Sequence, residues 1–249
     1  PLGTVLNVME LLNGQSMLDY KGKTSLVPDE DTYSLRGFSA ERFVTSIDGM
    51  TIRKTGGRKA SHIVDYALLP PWLIERVEIL PGPHSALYPG KAIGGTVNLI
   101  TRIPTKYQTL KPDISLSAGY GSYNTQNYNA VVNGAIESFI YDMGFQRYST
   151  NGNLRWSDAA RNTLCGRIGG VFPLGGFFTV SHIYAREDRR IPVNNNILTV
   201  LTDPLSSYNP DYPIVMDSEF NNSQHPTWDK TANTTRLNLY QPTPFGIIK

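Results

Sequence analysis

Through the second half of the chain, apolar and polar residues alternate one for one. In 113–121, Ile114, Leu116, Ala118 and Tyr120 fall on one phase and Ser115, Ser117 and Gly119 on the other. The pattern returns in 126–136, where Tyr128, Ala130, Val132 and Ile136 oppose Asn127, Asn129 and Asn133. It returns again in 139–148, where Phe139, Tyr141, Met143 and Phe145 oppose Asp142, Gly144 and Gln146. Successive side chains on a strand point to opposite faces, so a period of two predicts strands with one apolar face and one small or polar face. Further strands are expected at 162–171, at 177–186, where Phe178, Val180 and Tyr184 share a face, and at 235–240, about six in all.

The connections alternate in length. Glu137-Ser138 and 173–176 are short, 149–158 is longer, and 187–232 is a long segment rich in Asn, Asp, Pro, Ser and Tyr. Tight turns on one side and long loops on the other are the habit of outer-membrane β-barrels. A soluble sandwich with one wet face also alternates. Here, however, the polar phase is Asn, Ser, Gly and Gln rather than Lys and Glu, and the apolar phase is aromatic near strand ends, as in the girdles at a lipid interface. The barrel is the better expectation. A loop as long as 187–232 is uncommon unless it is functional, and on a barrel it would lie over the mouth.

Before residue 110 the pattern is mixed. Thr4 is placed to cap a short helix carrying Val5, Val8, Met9, Leu11 and Leu12 at helical spacing, with Asn13-Gly14 as its stop. Short β-prone runs follow at 33–36 and 43–47, and Asp48-Gly49 ahead of 50–52 signals a hairpin with a primed turn. The runs 73–80 and 96–101 are joined by a segment crowded with Pro and Gly. On 73–80 both faces mix charge with apolar bulk, which suits a strand inside a polar, partly wet lumen better than one in an oily core.

Composition narrows the field. The chain has 249 residues, 40% hydrophobic and only 18% charged, with 22 Gly and 14 Tyr. That is enough apolar content for a core, and a formal charge of +2 is too small to argue for nucleic acid. No apolar run approaches the roughly 18 residues of a membrane helix, so any spanning structure must be strands. Cys165 is alone, so no intrachain disulfide is expected, and His62, His84, His182 and His225 have no metal-ligand spacing. Gly82 to Gly90-Lys91 is no phosphate loop, because the glycine spacing is too wide and Lys91 is followed by Ala92.

Five blocks, in order, carry a family resemblance: Tyr33-Ser34-Leu35-Arg36-Gly37-Phe38; Ile47-Asp48-Gly49; Ile74 through Pro83; Ser85-Ala86-Leu87-Tyr88; and Gly94-Gly95-Thr96-Val97-Asn98-Leu99-Ile100-Thr101. Together they resemble the plug domain of TonB-dependent outer-membrane receptors, and the alternating region is similar to the first strands of the receptors' barrel. The resemblance implies an α+β plug domain over 1–110, followed over 111–249 by antiparallel transmembrane β-barrel strands, in a complete protein of about 22 strands. About six strands cannot close, so the chain is expected to be part of a longer polypeptide or a truncated product. On this resemblance it is expected to start inside the plug, without a segment that could serve as a TonB box.

The resemblance also implies a function. Such receptors import a scarce nutrient, often a ferric siderophore, through the outer membrane of a Gram-negative bacterium, energised by the TonB–ExbB–ExbD complex. No enzyme activity, resident cofactor, metal site or nucleic-acid partner is expected, and the partners are the complex, the ligand and outer-membrane lipid. The alternative is a non-transporting binding or structural protein, or a fragment, with the same architecture. Arg53, Lys54, Arg58 and Lys59 place four positive charges in seven residues and are candidates for an anionic ligand, as is Tyr88 at a plug apex. Arg36, Glu75, Arg76 and Glu78 are candidates for plug–barrel contacts. Two departures from the family pattern stand out. Pro81 replaces an arginine that in relatives pairs with barrel carboxylates, and Pro89 intervenes after Tyr88, stiffening that apex.

Overall fold

The computed structural model describes residues 8–13, 15–21, 32–39, 42–52, 66–83, 92–102, 112–152, 157–172, 175–190 and 227–248. The chain divides into two compact units, Pro1–Ile103 and Pro104–Lys249.

In the first unit, helix α1 (Val8–Asn13) is followed by β1 (Leu18–Lys21), β2 (Thr32–Leu35), β3 (Phe43–Ile47), β4 (Met50–Thr51), β5 (Ile74–Pro81) and β6 (Gly95–Thr101). The helix lies where expected, although Thr4 and Gly14 fall outside the described residues. Strands β1 and β2 form an antiparallel ribbon, with Leu18 opposite Leu35. The other four make one sheet in the order β4-β3-β6-β5. Its middle pair is parallel, running from Phe43 opposite Gly95 to Ile47 opposite Leu99. Central parallel strands are covered on both sides and need not alternate, which is why β3 is buried at every residue.

The core of this unit gathers Val8, Leu12, Leu18, Tyr33, Leu35, Phe43, Ile47, Tyr66, Leu69, Val97 and Leu99. At its centre the Tyr33 ring meets Tyr66 edge-on, with centroids 5.7 Å apart. The Tyr66 hydroxyl shares a 2.7 Å hydrogen bond with Thr45 Oγ1. Burial pushes the Tyr66 phenol up from 10.0 to about 12, and the Thr45 hydrogen bond opposes this only in part. A raised folded-state pKa means that the neutral phenol is favoured in the fold. Its stabilisation is complete below pH 10 and is lost as pH climbs from 10 toward 12. Alkaline titration is therefore expected to unfold this unit in that window. Tyr66→Phe, which has no proton to lose, is expected to move the transition upward, as followed by phenolate absorbance and circular dichroism. An unchanged transition would mean that Tyr66 does not set it.

The strand expected at 73–80 is shifted by one residue, because Pro71–Leu73 form a 3-10 turn that precedes it. It lies at the sheet edge beside β6, with a register irregularity between Ile74 and Arg76. That position explains the charge on both phases: an edge strand has no second neighbour to exclude water, and charge there deters pairing with another chain.

The second unit is a meander of β7 (Asp113–Gly121), β8 (Thr125–Ile136), β9 (Phe139–Thr150), β10 (Ala159–Val171), β11 (Phe177–Arg190), β12 (Thr227–Thr243) and β13 (Gly246–Ile248), each antiparallel to the next. Among the described residues there are thus seven strands rather than about six. The expected loop 187–232 is corrected at both ends, since β11 continues to Arg190 and β12 begins at Thr227, with Arg190 opposite Thr227. The extension 187–190 reads Glu-Asp-Arg-Arg. It offers no apolar residue for a periodicity to register, yet the backbone ladder continues through it.

The two faces of this sheet are inverted relative to a soluble one. On β10, Arg161, Thr163, Cys165 and Arg167 are buried while Leu164 and Ile168 are about half exposed, at 52% and 53%. Leu116, Met143, Phe145, Phe178, Val180, Leu237 and Leu239 are exposed in the same way. Asn127, Asn133, Asp142, Gln146, Thr179, Ser181, Glu187 and Arg189 are buried. Among the described residues no helix is long and apolar enough to cross a membrane.

Candidate functional site

In the first unit the family blocks converge through hydrogen bonds and close packing. Arg36 and Gly37, with φ of 50 and 82, make a tight turn that brings Leu35 and Phe38 together through two 2.9 Å backbone hydrogen bonds. The Arg36 N–H donates to Met17 O at 3.1 Å, and its side chain points outward. Phe38 then lies over Gly94, where a Cβ would sit 2.7 Å from Phe38 Cβ. Gly95 has φ +136, and a Cβ there would run into the Leu80 carbonyl and lie 2.7 Å from Leu35 Cδ2. The paired glycines are needed because the 33–38 turn and the end of β5 both press on this point.

The Asp48-Gly49 turn has φ of 51 and 80, as a primed hairpin requires. Asp48 fastens it to β6: Oδ1 accepts from the Thr101 N–H at 2.8 Å and Oδ2 from the Thr101 hydroxyl at 2.9 Å. Asn98 Oδ1 accepts from Ser46 Oγ at 2.9 Å and from the Gly49 N–H at 3.0 Å, while Asn98 Nδ2 donates to Glu78 Oε2 at 3.4 Å.

Of the four contact candidates, three are brought together. Arg76 Nη2 lies 2.8 Å from Glu78 Oε1, and Arg76 Nη1 lies 3.9 Å from Glu75 Oε2, all three side chains being well exposed. Exposed pairs of this kind contribute at most about 1 kcal/mol. Their value lies in the charge they present. Among the described residues Arg36 forms no ion pair with them. Pro81, in place of the expected arginine, ends the edge strand opposite Gly95. Arg53, Lys54, Arg58, Lys59 and Tyr88 lie outside the described residues.

In the second unit the buried face carries polar groups that periodicity placed on the correct phase without singling out. Arg167 Nε donates to Asp142 Oδ2 at 2.7 Å, both side chains being more than nine-tenths buried. Arg161 lies with its guanidinium carbon 5.3 Å from the centre of the Tyr148 ring. Arg189 Nη2 donates to Glu187 Oε1 at 2.8 Å. Glu187 faces Arg161 on one neighbouring strand and Lys230 on the other. Across β7 to β9 the same face also carries neutral pairs: Gln146 Nε2 donates to Asn127 Oδ1 at 3.0 Å and Asn129 Nδ2 to Ser117 Oγ at 3.1 Å.

At the end of the sheet where β9 ends and β10 begins there is a pocket of about 320 Å³, lined by Asp158, Asp188, Arg189, Arg190, Thr227 and Asp229 among others. Arg190 Nε closes on Asp158 Oδ1 at 2.7 Å. The six named here fall within the expected loops 149–158 and 187–232 and carried no periodic signal, whereas Asp142 and Arg167 showed as charge on expected strands. Such charge must find a partner when buried. The arrangement offers charge-assisted hydrogen bonds to a polar solute. Among the described residues no group of three or more His, Cys, Asp or Glu could hold a metal.

Residues 3–96 match the family model of the TonB-dependent receptor plug domain. Among solved structures, the pyoverdine outer-membrane receptor FpvA from Pseudomonas aeruginosa superposes with a TM-score of 0.69 at 17% identity, over 97% of this chain and 33% of its own. The FrpB iron transporter of Neisseria meningitidis gives 0.68 at 18% identity, over 96% and 36%. The siderophore receptor PiuA of Acinetobacter baumannii gives 0.56 at 19% identity, over 76% and 25%. The chain thus spans about a third or less of the length of these structures. Taken with the geometry above, the chain carries the plug domain of the TonB-dependent receptors, continued by antiparallel strands with the fold of those receptors' barrel.

Proposed function

We propose that this chain forms the plug and first barrel strands of an outer-membrane transporter that imports a ferric siderophore into a Gram-negative bacterium, energised by TonB–ExbB–ExbD. The observation that carries this reading is the inverted sheet. A face with exposed Leu116, Leu164, Ile168 and Leu237 and a buried face with Asp142, Arg161 and Arg167 is stable where hydrocarbon lies on one side and a polar interior on the other. A plug unit ahead of such a sheet is the arrangement of a gated importer rather than an open pore. In this reading Arg53, Lys54, Arg58, Lys59 and Tyr88 meet the anionic chelate, and Arg36, Glu75, Arg76 and Glu78 hold the plug to the wall.

The test is uptake of radiolabelled ferric siderophore by cells carrying the gene for this chain. Uptake is expected to stop when an uncoupler collapses the inner-membrane gradient, while binding at the surface persists. Uptake that continues in uncoupled cells, or no binding of any ferric chelate, would refute the proposal. In the same cells, changing Arg53, Lys54, Arg58 and Lys59 together to Gln is expected to weaken binding strongly at low salt and much less at high salt. Unchanged affinity at low salt would remove them from the site.

A further inference from the structure

On the exposed face of the second unit, across β8 to β11, a mostly apolar row gives way directly to a polar one. Ala130, Phe145, Leu164 and Tyr184 are successive Cα partners across β8 to β11, and the next row on the same face is Tyr128, Arg147, Asn162 and Arg186. Strands are about 4.8 Å apart, so Arg147 and Arg186 stand about 10 Å from each other with Asn162 between them. Arg147 Nη1 donates to Asn162 Oδ1 at 3.3 Å, and Arg186 Nε and Nη2 both donate to Asp188 Oδ1 at 3.2 Å. Each guanidinium has five N–H groups, so both keep donors to spare.

The carboxylates lie one row farther from the apolar band. Asp188 faces Asp229 there, toward the end of the sheet where Arg190 is opposite Thr227. The charge is therefore layered, with cations beside the apolar band and anions beyond them. A free anion arriving from water meets the carboxylates first. A phosphate anchored to acyl chains arrives from the other side and meets the arginines at the depth where headgroup phosphates lie.

We propose that Arg147 and Arg186, with Asn162 between them, bind the phosphate of an outer-leaflet lipid headgroup. The inference rests on the outer-membrane reading above. Paired guanidinium groups match phosphate oxygens in geometry as well as charge. Tyr128, at the end of the row, supplies the aromatic ring favoured at that depth.

The experiment uses the whole gene product in phosphatidylcholine nanodiscs, doped with diphosphoryl lipid A or with the same lipid stripped of its phosphates, and counts retained lipid by native mass spectrometry. The wild type is expected to retain the phosphorylated lipid about tenfold better. The double variant Arg147→Gln/Arg186→Gln is expected to lose that preference, and Arg147→Lys to keep most of it. Millimolar inorganic phosphate is expected not to displace the lipid. Equal retention by wild type and double variant, or displacement by inorganic phosphate, would overturn the lipid site while leaving siderophore binding and the transporter reading intact. Failure of the protein to enter bilayers at all would overturn both.

Discussion

Gly95→Ala is expected to destabilise the first unit by roughly 3 kcal/mol or more, the largest effect of any single methyl added there. Two costs add. The residue holds φ at +136, a backbone region that an L side chain enters only with strain, and the new Cβ would collide with the Leu80 carbonyl of the neighbouring strand. Gly82→Ala separates the two, because Gly82 also has a positive φ, +101, but nothing lies within 4 Å of where its Cβ would be. It should show the conformational cost alone, on the order of 1 kcal/mol. Hydrogen exchange at the amides of β3 and β6, measured against denaturant, reports both variants. Equal protection in the two would mean that the sheet can spread at Leu80 and that the close approach is not what requires glycine.

Asp142→Ala is expected to cost about 3 to 5 kcal/mol, because it removes the carboxylate that lies 2.7 Å from the buried Arg167 guanidinium. The pair itself need not be worth that much, since both charges were taken out of water to form it. The double variant Asp142→Ala/Arg167→Met removes both charges and should recover most of the loss. Folding midpoints in lipid for the two singles and the double form a cycle that isolates the coupling. A double variant as unstable as Asp142→Ala alone would show that the damage comes from the lost shape of Asp142 rather than from the broken charge pair.

Six strands of the second unit were legible because each carries a stretch with a period of two, and the structure keeps the phase read from Ile114, Tyr128 and Phe139. Reading failed where that contrast vanishes. The run Glu187–Arg190 has no apolar member, so the end of β11 read as loop. The Asp48-Gly49 hairpin was visible because positive φ at two successive positions needs particular residues. What Asp48 does with its carboxylate was not, since Thr101 lies 53 positions away and no local pattern links them. The glycines at 94 and 95 marked themselves as a motif, but their reason lies in Phe38 and Leu80, which only the fold brings near. Of the site candidates, Glu75, Arg76 and Glu78 stood out as charges on a β-prone run, and it took the edge position of that run to explain them. The pairing of Arg167 with Asp142 depends on register between two strands, which alternation alone does not set.

The parallel pairing of β3 with β6 imposes an order on assembly. Strand β3 is made early and acquires β4 at once through the Asp48-Gly49 turn, but a lone two-stranded ribbon is marginal in water. Its lasting neighbour is β6, the last strand of the sheet to be synthesised, which must enter between β3 and β5 rather than add to an edge. Closure of so long a loop makes this the slow, non-local step. Until Gly95–Thr101 has emerged, the four-stranded sheet cannot form, and the residues that become its core stay open to whatever escorts the chain.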